Sequence, residues 1–117
     1  MPIVRVPTSE IEDWPSFHSV FQRVLGFPSF YGRNMDAWID CLTSADDADN
    51  GMVARDVVAR DGDVLTLQLE DVEAFAVRCP EQYQAVIECS AFVNWRRVEV
   101  GERPILALSF FRRVSEP

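Results

Sequence analysis

An α/β fold, with a small parallel sheet packed by helices, is predicted by three features of this 117-residue chain. Three apolar runs, residues 3–6, 64–69 and 105–111, have the composition of short strands. Stretches with helical spacing and helix caps separate them, and strands joined through helices pair in parallel. Apolar residues make up 48% and charged residues 26%, a mix that supports a core and argues against disorder. One domain spanning residues 1–117 is expected.

Taken in order, Ile3 to Val6 is the first strand, closed by Pro7. Asp13 caps a helix with Trp14 and Pro15 in its first turn, where proline is tolerated. Trp14, Phe17, Val20, Phe21, Val24 and Leu25 recur at helical spacing until Gly26 stops the run. His18, the only histidine, falls just beside that stripe and is expected at the surface or the core boundary.

The next stretch, from Phe27 to Thr43, is a loop crowded with aromatics that runs into a short helix. Asn34 is a good N-cap, and Asp36 suits the positive end of the helix dipole. At about 100° per residue, Met35, Trp38, Ile39 and Leu42 share a core-facing side, while Asp36, Asp40 and Thr43 share the other. Two carboxylates spaced i,i+4 repel by about 0.2–0.5 kcal/mol. No basic residue at i±3 or i±4 relieves Asp40. The pair is therefore a candidate site for a cation supplied from outside.

Residues 44–51, Ser-Ala-Asp-Asp-Ala-Asp-Asn-Gly, read as a solvated acidic connector. An EF-hand is excluded, because counting from Asp46 puts Ala48 and Val57 at the third and twelfth positions, where oxygen ligands are needed. Residues 52–60 alternate roughly and suggest an added edge strand, with Asp61-Gly62 as a turn. Val64 to Leu69 is the strongest strand and is expected at the sheet centre. A short helix over 72–78 follows, and Pro80 restarts a second one that runs to about Val98, with Gly101 as the stop. Glu81 near its start and Arg96-Arg97 near its end match the dipole. Pro104 leads into the last strand.

Net charge is −8, which disfavours a nucleic-acid ligand, because phosphate binding needs a basic surface. An acidic field keeps a chain soluble and steers basic protein partners toward it. Every basic residue is arginine. Cys41, Cys79 and Cys89 form an odd set without a C-x-x-C pair, which fits neither a disulfide framework nor a zinc site. They read as reduced thiols in a cytoplasmic protein. The N-terminus lacks the apolar core of a signal peptide, and no run approaches membrane length.

No glycine-rich phosphate loop follows a strand, and one histidine without a Ser or Cys partner in a motif makes a poor nucleophile–base pair. No catalytic residue, metal site or cofactor is expected. Asp36 and Asp40, with Asp46, Asp47 and Asp49, are the sole enzyme-like signal, as acid and base or as ligands of a divalent metal. An exposed pair one turn apart lacks the burial that separates carboxylate pKa values. The residues alone leave a solvated helix face and a binding face open, with catalysis third.

Residues 30–43, Phe-Tyr-Gly-Arg-Asn-Met-Asp-Ala-Trp-Ile-Asp-Cys-Leu-Thr, closely resemble the barstar family of intracellular ribonuclease inhibitors. The family pattern is an aromatic pair, Gly, any residue, Asn, an aliphatic residue, Asp-Ala, two large apolar residues and Asp-Cys-Leu-Thr. The order of elements matches across most of the chain, but only this stretch is specific. The resemblance implies a three-stranded parallel sheet with about four helices. It also implies that the second helix and the loop before it plug the active site of a secreted basic ribonuclease, one inhibitor per enzyme. Asp40 would be the anchor in the enzyme's phosphate site and Asp36 a second acidic contact. Phe30 or Tyr31 would stack on a catalytic ring. Gly32 and Asn34 would approach through backbone and amide, Ile39 would lie at the rim, and Thr43 would add a polar contact. An interaction module for another basic toxin or regulator is the alternative, and a carboxylate-dependent metal hydrolase the third.

The chain departs from the pattern in four places. Phe30 stands where the family often has Tyr, and Trp38 precedes Ile39 rather than following an apolar residue. Residues 44–60 are longer and more acidic than their counterpart, and Arg96 and Arg97 lie where a family carboxylate is expected on the last long helix.

Overall fold

The computed structural model describes residues 2–60 and 62–111. Strand β1 (Ile3–Pro7) leads through a 3-10 turn into α1 (Trp14–Leu25) and α2 (Met35–Thr43). Strand β2 (Leu65–Glu70), helices α3 (Val72–Arg78) and α4 (Pro80–Glu99), and strand β3 (Leu106–Phe111) complete the order. The three strands form one parallel sheet in the order β1-β2-β3, the α/β arrangement expected. Among the described residues no helix is long and apolar enough to cross a membrane.

Register explains how the sheet buries its side chains. Val4 and Val6 pair with Leu67 and Leu69, and those two pair on the other side with Leu108 and Phe110. Leu65, Leu67 and Leu69 are fully buried, whereas Thr66, Gln68 and Glu70 alternate with them and keep partial access to solvent. A period-2 pattern with one buried face follows from the pleat. The buried face meets Phe17, Phe21 and Leu25 of α1, Trp38 and Leu42 of α2, Phe75 of α3, and Val86 and Val93 of α4 in one core.

Local chemistry sets the helix ends. Asp13 accepts a hydrogen bond from Ser16 N at 2.9 Å, and the Ser16 hydroxyl in turn accepts from Asp13 N, a reciprocal capping box. The Ser16 hydroxyl also donates to Asp13 Oδ1 at 2.6 Å, and this bond, with the one from Ser16 N, holds the Asp13 carboxyl below its usual range. Gly26 ends α1 in the left-handed region at φ 68°, where a Cβ would lie 2.5 Å from the Ala54 Cβ. On α4, Gln82, Val86, Ser90, Val93 and Arg97 form the buried stripe, at spacings of three and four. Asn94 clamps α4 to the start of β3: its carbonyl accepts from Ile105 N and Leu106 N, and its amide donates to Leu106 O.

Two expectations need correction. Residues 52–60 form no edge strand; they contain a 3-10 turn over Arg55–Val57, and Val53, Val57, Val58 and Ala59 are buried. Adjacent apolar residues at 57–59 cannot alternate between two faces. The backbone instead bonds to helix ends, Ala54 N to Leu25 O and Ala59 N to Ala45 O. His18 is buried rather than at the surface, because its ring lies between Trp14 and Tyr31. Of the expected turn at 61–62, Asp61 lies outside the described residues, and Gly62 has φ 82°.

Candidate functional site

The surface built by α2 and the loop before it brings the sequence-derived candidates together. The Asn34 side-chain Oδ1 accepts from Ala37 N at 2.8 Å, which starts the helix where the sequence places it. Trp38, Ile39 and Leu42 then point into the core, and Asp36 and Asp40 point to solvent. Thr43 is half-buried, and its hydroxyl donates back to Ile39 O at 2.7 Å. Gly32 and Asn34 are exposed at the start of the face, although part of the Asn34 side chain is committed to the cap.

The aromatic loop divides its rings. Phe30 is 73% exposed, whereas Tyr31 is 6% exposed and packs against Phe27 at a ring separation of 4.7 Å. The Tyr31 hydroxyl and His18 Nδ1 share a buried hydrogen bond of 2.6 Å. Burial lowers the His18 pKa, with a smaller contribution from the Arg33 charge. Burial raises the Tyr31 phenol above its ordinary range, so both groups are held neutral. Arg33 has a left-handed backbone at φ 55°. Its guanidinium donates to Pro15 O at 2.8 Å and Ser19 Oγ at 2.9 Å, which ties the loop to α1.

Asp40 has a partner that helical spacing along α2 does not reveal. Arg96 of α4 donates from Nη1 to Asp40 Oδ1 at 2.9 Å, with the two side chains 40% and 68% exposed. The neighbouring Arg97 does different work. It is buried, donating to Thr43 O and Arg103 O, both at 2.8 Å, and to Asp46 Oδ2 at 3.1 Å. Thr43 O is one of the carbonyls a helix leaves without an internal partner, so Arg97 satisfies the end of α2. Beneath the acidic face, burial and the Asp40 charge push the Cys41 thiol up to about 11, and Cys89 on α4 is raised by burial, Glu88 and Asp36.

Tyr31 and Ile39 therefore back the face from within, while Phe30, Gly32, Asn34, Asp36 and Asp40 form its surface. Arg96 belongs to the same surface and went unread as a partner of Asp40, because 56 residues separate the two. The one signal in the sequence was its place in the region where a family carboxylate is expected. Among the described residues, no three His, Cys, Asp or Glu side chains gather to hold a metal ion. The arrangement offers acidic and aromatic contacts to a basic surface.

The family model described as Barstar (barnase inhibitor) matches residues 1–106. No individual curated protein matches the chain. The chain belongs to the barstar family.

Proposed function

We propose, from this family membership and the exposed acidic face, that the chain is a cytoplasmic inhibitor that binds a secreted basic ribonuclease one to one and masks its active site. It acts by binding and not by catalysis. The observation that carries the reading is the placing of Asp36 and Asp40 on the solvent side of α2, with an exposed Phe30 ring in the loop that leads into it. A carboxylate held on a rigid helix takes the place of an RNA phosphate among cationic groups, with charge-assisted hydrogen bonds. Asp36 adds a second charge and Phe30 a ring contact. Gly32 and Asn34 allow close approach, and Thr43 closes the far end. Tyr31, through His18, and Ile39, through the core, hold those groups in place. The net charge of −8 steers encounter with a basic partner.

The test is Asp40→Ala in calorimetric titration against guanyl-specific microbial ribonucleases, barnase included. A loss of about 2–8 kcal/mol is expected, the range of charged hot spots, which includes a barstar aspartate already measured. Unchanged affinity would show that Asp40 is not the anchor.

A further inference from the structure

We infer that Arg96 selects the partner: the cognate ribonuclease presents a carboxylate to Arg96 beside the cations that take Asp40. The inference rests on the proposed function and specifies the enzyme that this face fits. In the free chain Arg96 holds Asp40 through a single nitrogen at 2.9 Å, in an exposed contact. Exposed pairs of this kind are weak and exchange readily. Docking onto a cationic site would give Asp40 new donors and leave Arg96 covered beside them.

A covered cation next to other cations is strongly unfavourable unless a counter-charge meets it. A ribonuclease with a wholly basic rim is therefore rejected, and one with a carboxylate opposite Arg96 is accepted. The surroundings of Arg96 fit such a contact. Phe92, one helical turn earlier, and Trp95, the preceding residue, are 44% and 53% exposed, with ring centroids 5.6 Å apart. An arginine one helical turn from an exposed aromatic ring, itself packed on a second, has the composition of an interface centre. The surface thus continues from Asp40 on α2 across to Arg96 on α4. Specificity built from a repulsive element as well as an attractive one is how related partners are told apart.

The experiment titrates the wild-type chain, Arg96→Glu, Arg96→Ala, Arg96→Lys and Asp40→Ala against a panel of guanyl-specific microbial ribonucleases, barnase included. Unfolding midpoints establish that each variant is folded. For the ribonuclease that wild type binds tightest, Arg96→Glu weakens binding by about tenfold or more, and Arg96→Lys keeps the wild-type rank order. For ribonucleases that wild type binds poorly, Arg96→Glu strengthens binding by about tenfold or more, so the rank order inverts. Affinities that stay within about twofold of wild type, or tightening by Arg96→Glu across the whole panel, overturn the inference. If Asp40→Ala costs affinity in those same titrations, the inhibitor reading survives that failure. If no ribonuclease binds wild type, the inhibitor reading falls and the role of Arg96 falls with it.

Discussion

Replacing Arg97 with alanine tests whether the end of α2 is held by one buried guanidinium. The side chain is 7% exposed and bonds two backbone carbonyls, Thr43 O and Arg103 O, as well as the Asp46 carboxylate. Removing one partner of a buried charged network costs about 3–5 kcal/mol. The parts bracket that figure, at about 2–6 kcal/mol for the two carbonyls together. Each carbonyl left without a donor costs about 1–3 kcal/mol, while Asp46, 38% exposed, is rescued by water and contributes little. Against a typical total of about 5–15 kcal/mol, that loss is a large fraction of the stability. Urea unfolding of Arg97→Ala and Arg97→Lys beside wild type measures it. Lysine restores the charge but not the fork that reaches two carbonyls and a carboxylate, so it recovers only part of the loss. A loss below about 1 kcal/mol for Arg97→Ala would refute the reasoning, because it would mean that water replaces every bond.

The His18–Tyr31 bond and the Gly26 turn make two further predictions. Because burial lowers the His18 pKa from its ordinary 6.5, the unfolded chain takes up a proton that the folded chain refuses. The contribution of His18 to stability is therefore complete above pH 6.5 and is lost as pH falls from 6.5 toward the lower folded value. Urea midpoints for wild type and His18→Gln should converge in dependence on pH above that window and diverge within it. Tyr31→Phe leaves His18 Nδ1 without its 2.6 Å partner and should cost about 1–3 kcal/mol in thermal unfolding. Gly26→Ala should cost about 2 kcal/mol or more in scanning calorimetry, because it adds left-handed strain and a 2.5 Å contact with Ala54.

Much of this fold was legible because its signals are local. Asp13, Asn34 and Pro80 mark helix starts through hydrogen bonds or ring geometry that act within a few residues. Val64 to Leu69 announce a central strand by their apolar content. The misread parts depend on distant groups. Residues 52–60 looked like an edge strand because they alternate roughly, yet their backbone bonds to Leu25 at the end of α1 and to Ala45 just past α2. His18 looked like a boundary residue on its own helix, and the loop that buries it arrives 13 residues later. The acids of α2 were readable from helical spacing, whereas the arginine that meets Asp40 lies on another helix, where no local pattern points to it.

The arginines that hold the frame together bear on how freely the chain can diverge. Arg33 donates to Pro15 O, Arg78 to Thr8 O and Ile11 O, and Arg97 to Thr43 O and Arg103 O. Each tie ends on a peptide carbonyl, which every amino acid carries. Mutation at the accepting positions therefore leaves the acceptor in place, and only loss of the arginine breaks the tie. A scaffold stitched in this way lets its surface drift through many side-chain changes while the elements keep their places. It leaves the exposed face of α2 free to be rewritten.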